Sequence, residues 1–206
     1  MRWGRLGAEW RLKLGLLFGL GAFFTVPYTL LQLFPLVAPR PLTPSALDRA
    51  IPFDARWSAV YLSLTPFAIL VPLLAPSRDA LRRHARGFMA LCFASFVCFA
   101  LFPVPSPRPP AAERPTSGVY PLVLVYDREL NSFPSLHAGL AVYSALVATS
   151  LALPPVATAA LGVWAAAIVA STLPTKQHYA VDLVPGIVLA GLAYGVAFRN
   201  RREPLD

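Results

Sequence analysis

Only three histidines occur in this chain of 206 residues, and two of them stand among residues suited to work on a phosphoester. His178 lies in Ser171-Thr-Leu-Pro-Thr-Lys-Gln-His-Tyr-Ala-Val-Asp182, with Asp182 four positions further on. On a helix that spacing puts both side chains on one face. A carboxylate there accepts a hydrogen bond from one imidazole nitrogen, which fixes the tautomer and leaves the other nitrogen electron-rich. A histidine that attacks phosphorus needs this arrangement. Taken alone, the pair equally suits a structural tie between the last helix and its neighbours.

His137 ends Asn131-Ser-Phe-Pro-Ser-Leu-His137. Pro134 suits the first turn of a helix, with Ser132 or Asn131 as its cap. The free N–H groups of such a helix start form an anion site, and Ser135 adds a hydroxyl donor. His137, one step deeper, is placed to protonate a leaving oxygen as a general acid. Arg108, between Pro107 and Pro109, is a candidate clamp for phosphate oxygens. Lys176, two residues before His178, is a second cation at the same mouth, or an interfacial anchor. Nucleophile, orienting acid, general acid and positive cradle are most of what phosphoryl transfer requires.

These residues must be held by elements that sit in lipid. The chain is 56% hydrophobic and 14% charged, whereas a soluble domain carries roughly a quarter charged residues. The apolar residues come in long runs, which predicts one integral membrane domain, all-α, over residues 1–206. Six helices are expected: Leu12–Leu36, Trp57–Leu74, Gly87–Phe102, His137–Leu153, Val156–Leu173 and Val181–Phe198. The first run is too long for the apolar core of a signal peptide, so it reads as an uncleaved helix. Pro154-Pro155 forces the fourth and fifth helices into an antiparallel pair. The long Pro-rich stretch from Pro103 to Pro121 is of the kind that is functional or disordered.

The net charge of +8 would suggest nucleic acid in a soluble protein, but the basic residues sit in short clusters between apolar runs. They therefore set orientation. With six helices, the side holding both termini has eleven Lys/Arg against four acids, and the other has seven against six. The positive-inside rule makes the first side cytoplasmic. Both histidine motifs then open on the outer face.

The remaining features read more plainly. Cys92 and Cys98, six apart in one apolar run, point in different directions and do not form a mutual disulfide. His84, among Arg82, Arg83 and Arg86, suits a lipid-headgroup or orientation role. Trp10, Trp57, Tyr120 and Tyr126 read as interfacial belt residues. Arg114, Asp127, Arg128 and Glu129 read as a solvated loop, with a lipid-headgroup contact as the alternative. Asp182 is better placed to orient His178 than to share a metal with it, so neither metal nor cofactor is expected.

Ser106-Pro-Arg-Pro109, Phe133-Pro-Ser-Leu-His137 and Ser171…Lys-Gln-His-Tyr-Ala-Val-Asp182 resemble, in this order, the three signature motifs of the type 2 phosphatidic acid phosphatase (PAP2) superfamily. The resemblance runs roughly from Phe88 to Gly195 and extends to the six-helix plan. Its motif style is similar to the branch of inositol phosphorylceramide and sphingomyelin synthases, which has many bacterial members. It implies His178 as nucleophile, Asp182 as its partner, His137 as acid, and Arg108 and Ser135 as phosphate ligands. It also implies a lipid phosphate substrate and a bacterial inner membrane, with no nucleic-acid partner. The family's usual lysine seven residues before the arginine is here Leu101, and its usual arginine six residues before the second histidine is Thr172. Those departures count against a standard phosphatidate phosphatase and more strongly against a vanadate haloperoxidase. Hydrolysis, headgroup transfer to a second lipid alcohol, and a catalytically silent lipid-binding role all stay open. So do the choice of lipid and the oligomeric state.

Overall fold

Helices form most of residues 9–198, the part of the chain that the computed structural model describes, and no strand occurs among them. In chain order they are α1 (Trp10–Leu33), α2 (Ala46–Ala50), α3 (Ser58–Leu62), α4 (Leu64–Leu73), α5 (Arg78–Leu101), α6 (Tyr120–Tyr126), α7 (Leu136–Thr149), α8 (Pro155–Ser171) and α9 (Ala180–Phe198). Short 3-10 turns cover Ala55–Trp57 and Ala111–Glu113.

The expected count of six does not describe these helices. The second apolar run breaks after Leu62, because Pro66 four residues on has no N–H to offer the Leu62 carbonyl. Short α2 and α6 lie in connections that hydropathy had left as loops. α5 starts nine residues before the expected Gly87, at Arg78, where the Ser77 hydroxyl accepts from the Ala80 N–H and Arg83 pairs with Asp79 at 2.6 Å. Its basic first turns carry His84 into the helix. There His84 is buried beside Phe88 and Tyr143, so it does not face lipid headgroups.

Among the described residues, four segments have the length and apolar character to cross a membrane: Trp10–Leu33, Ala55–Leu73, Arg78–Leu101 and Ala180–Phe198. Leu136–Thr149 and Pro155–Ser171 are apolar but shorter. α7 lies at the centre, packed on α9, α8, α4 and α5, while α1 lies against α5. Phe67, Leu91, Cys92, Phe99, Tyr143 and Ile168 fill the core. The outward faces carry Phe18 at 79% exposure, Val163 at 71% and Val196 at 75%. Apolar side chains this exposed on long helices belong in lipid. Tyr120, expected in an interfacial belt, is instead buried, edge-on to Phe53.

The connections after α1, α5 and α8 meet at one end of the bundle. Arg40 N–H donates to Pro103, Asp54 N–H to Pro174, and Ser132 N–H to Val104. Asp48 in α2 is a hinge pin of this end. One carboxylate oxygen accepts from the Ala180 N–H, at the start of α9, at 2.7 Å. The other accepts from the Ser45 N–H and hydroxyl at 2.7 and 2.6 Å. Desolvation acts to raise the Asp48 pKa, but these donors and the nearby Lys176 outweigh it and hold it below the ordinary value. Asp48→Ala should therefore cost about 1–2 kcal/mol of stability, as loss of a helix cap does. A depressed carboxylate stabilises the fold above its unfolded pKa and loses that effect as pH falls through the folded value. Thermal melts in detergent should show wild type and variant well apart at neutral pH and converging in acid; a constant gap at all pH would contradict this assignment.

Candidate active site

Three segments deliver the site to that end: the loop leading into α7, the 172–179 loop leading into α9, and the irregular stretch after α5. Ser135, rather than Ser132 or Asn131, caps α7, its hydroxyl accepting from the Ala138 N–H at 3.2 Å. Pro134 lies before the helix, joined to Phe133 by a cis peptide bond. With Ser135 as the cap, Ser132 serves elsewhere: its hydroxyl donates to Asp182, on the other half of the site. The Ser135 N–H donates to the Asp182 carbonyl at 2.9 Å, which ties the two helix starts together. The N–H groups of Leu136 and His137, first in α7, have no carbonyl four residues back within the helix.

His178 sits two residues before α9, so its link to Asp182 is not a pairing along a helix face. Its Nδ1 lies 2.9 Å from the Ser132 carbonyl and 3.5 Å from the Asp182 carboxylate. A carbonyl accepts only, so Nδ1 carries the proton and Nε2 the lone pair. Asp182 also accepts from the Tyr179 N–H at 2.8 Å, which closes the first turn of α9. His178 is 4% exposed, and its Nε2 has no hydrogen-bond partner among the described residues. A polar atom kept buried and unsatisfied in this way is costly, and it points to a ligand or a reaction.

His137, in the first turn of α7, lies with its ring centroid 5.9 Å from that of His178. Its ring stacks on Tyr61 at 3.9 Å between centroids and 15° between planes. Arg108 is held from both sides. Nε and Nη2 donate to the Gln177 side-chain oxygen at 3.0 and 2.8 Å, and Nη2 also donates to the Asp127 carbonyl. Gln177, next to His178 in sequence, thus ties Arg108 to the 172–179 loop.

Lys176 is used differently from the phosphate ligand expected of it. It has a positive φ of 55°, and its ammonium donates to the carbonyls of Asp48, at 2.7 Å, and Ile51, at 2.5 Å. Burial lowers its pKa, an effect opposed by the charge of Asp48. The residue fastens the 172–179 loop to the end of α2. The two positions that lack the family cations also differ in setting. Leu101 is exposed on the outside of α5, and Thr172 is fully buried with its hydroxyl on the Val169 carbonyl.

The sequence reading left out Asp127, Tyr61, Tyr28 and Gln32. Asp127 is buried and accepts from the hydroxyls of Tyr28, at 2.5 Å, and Tyr61, while Gln32 reaches it at 3.5 Å. Asp127, His137 and His178 each place one potential metal-ligating atom within 4.8 Å of the others. A charged triplet, Asp127-Arg128-Glu129, looks solvated in sequence and hid the carboxylate. Gln32, the one amide in the first apolar run, was the available signal.

A model of the PAP2 superfamily matches residues 52–196, well over half of the chain. The chain belongs to the PAP2 superfamily. The match takes in all three motif segments and α3 to α9. No curated protein and no solved structure matches. PAP2 membership gives the chain a function of the phosphatase or phosphotransferase type, and its apolar helices make it an integral membrane protein.

Proposed function

We propose that this PAP2 protein is a lipid phosphatase that works through a phosphohistidine on His178. The observation that carries the reading is the buried, unpartnered Nε2 of His178, opposite a proton held at Nδ1 by Ser132 and Asp182. Nε2 attacks phosphorus, the bond from phosphorus to the ester oxygen breaks, and His137 gives that oxygen a proton. Water then attacks phosphorus, the P–N bond breaks, and His137 takes the proton of the water. Arg108, the Ser135 hydroxyl and the first N–H groups of α7 face the phosphoryl oxygens. The lipid tail stays among the exposed apolar helix faces.

We place the site on the outer face. Arg11, Lys13, Arg78, Arg82, Arg83 and Arg86 belong to α1 and α5 at the end away from the histidines. Arg2, Arg5, Arg199, Arg201 and Arg202, which also entered the charge count, lie outside the described residues.

Headgroup transfer to a lipid alcohol is the second reading, and three observations favour it. The motif style resembles that of the synthase branch, and the family cations missing at Leu101 and Thr172 leave a weaker cage for free phosphate. A cavity of about 500 Å³ beside Arg108, lined also by Gln32, Leu124, Arg128, Glu129 and Leu130, offers room for a second headgroup. Purified protein given a panel of lipid monophosphates and phospholipids, with and without ceramide or diacylglycerol, separates the readings. Free phosphate from a monophosphate is the expected result; a new phospholipid made only with acceptor present selects transfer. No turnover of any lipid in the panel rejects both in favour of a silent lipid-binding protein.

A further inference from the structure

Asp127 takes no part in the chemistry just described, yet three side chains from two other helices converge on it. Its carboxylate is 6% exposed and receives the hydroxyls of Tyr28, from α1, and Tyr61, from α3. Gln32, one turn from Tyr28, also donates to it, at 3.5 Å. A carboxylate group that accepts from several neutral donors polarises them. Tyr61 is the one that matters for the site, because its oxygen lies 3.2 Å from His137 Nδ1 while its ring stacks on the imidazole. A hydroxyl has one proton, and here that proton points to Asp127. The Tyr61 oxygen then turns its lone pairs toward Nδ1 from over the face of the stacked ring, a contact that favours positive charge on His137. The direct separation of Nδ1 and the carboxylate, 4.0 Å, is too long for a hydrogen bond, so Tyr61 is the connection.

We propose that Asp127 and Tyr61 form a relay that positions His137 and supports its imidazolium: Nε2–H gives its proton to the departing alcohol, the ring is left neutral with its proton at Nδ1, and Nε2 recovers a proton from water. Asp127 would serve His137 as Asp182 serves His178, so the site would have two histidine–carboxylate systems, one for the nucleophile and one for the acid. Asp127 and Tyr61 are positioning residues, since they act through His137. The proposal rests on the phosphohistidine reading above. A cation shared by Asp127, His137 and His178 is the competing use of the same atoms. The Tyr61 hydroxyl already touches both Asp127 and His137, and so would have to move or ligate it.

Leaving-group chemistry separates the relay from mere structural support. An alkyl phosphate needs its departing oxygen protonated, whereas a nitrophenyl phosphate, here with an alkyl chain for micelle binding, departs without help. Tyr61→Phe and Asp127→Asn should each lower kcat/KM, which reports only up to loss of the alcohol, by about 10–100-fold on the alkyl ester, yet change it less than about threefold on the aryl ester, as for loss of a partner that orients an acid. Tyr61→Phe removes a single oxygen, so it keeps the test open if Asp127→Asn folds poorly. Equal losses on both esters would overturn the relay and leave the phosphohistidine reading intact. Loss of wild-type activity on chelation, restored by zinc, would overturn it in favour of a shared cation. A wild type that cleaves neither ester, or that is unaffected by His178→Ala, would overturn the phosphohistidine reading and the relay together.

Discussion

His178→Ala should lower phosphate release from a lipid monophosphate by at least about 10⁴-fold, the scale of losing a covalent nucleophile. The magnitude follows from the isolation of Nε2. No other described group hydrogen-bonds to it, and His137 is committed to the acid's role. Asp182→Asn should cost far less, about 10–100-fold, as loss of an orienting partner does. The Ser132 carbonyl, at 2.9 Å, holds the His178 proton more closely than the Asp182 carboxylate, at 3.5 Å. The order of the two variants is therefore part of the expectation. Rapid quench of wild type with radiolabelled substrate in alkaline detergent should trap label on protein in an acid-labile, base-stable bond, and His178→Ala should trap none. Retained turnover in His178→Ala, or label trapped in it at the wild-type level, would rule out His178 as the nucleophile.

Much of this site was legible because its parts are local. His178 with Asp182, and Pro134 with His137, are short-range patterns whose physics needs only a helix start. Hydropathy found the apolar runs, yet it misjudged their edges wherever a polar residue opens a helix or a proline interrupts one. Ser77 starts α5 inside a basic stretch that hydropathy excludes, and Pro66 splits a run that hydropathy joins. Long-range partners were beyond reach. Asp127 meets Tyr28 and Tyr61 across 99 and 66 residues of chain, and Lys176 meets Asp48 across 128. In sequence Asp127 is a loop acid and Lys176 a cation near a histidine. Packing reverses them, making the acid part of the buried site and the cation a strut between loops.

Gly186→Ala should be the most damaging one-carbon change in the bundle. A Cβ at Gly186 would lie 2.2 Å from the Ser135 carbonyl oxygen and 3.1 Å from its carbon. The obstacle is backbone, so no side-chain rotation relieves it, and the two helix starts must part by about 1 Å. Gly186 lies one turn after Asp182, whose carbonyl accepts from the Ser135 N–H, so the separation acts on the contact that joins the two halves of the site. Overpacking of this kind costs about 1–3 kcal/mol. The functional loss should be larger than that stability change suggests, because a misplacement of about 1 Å between reacting groups costs about 10²-fold in rate. Gly195→Ala is the matched control, on the same helix with nothing within 4 Å of the new methyl. It should keep full activity and gain up to about 1 kcal/mol from helix propensity. The comparison is kcat in detergent alongside the melting temperature of each variant. A Gly186→Ala protein as active as wild type would mean that the close approach of α7 and α9 does not set the distance between His137 and His178. Loss of rate in a variant still folded at the assay temperature would show that this glycine holds the two histidines in reacting register.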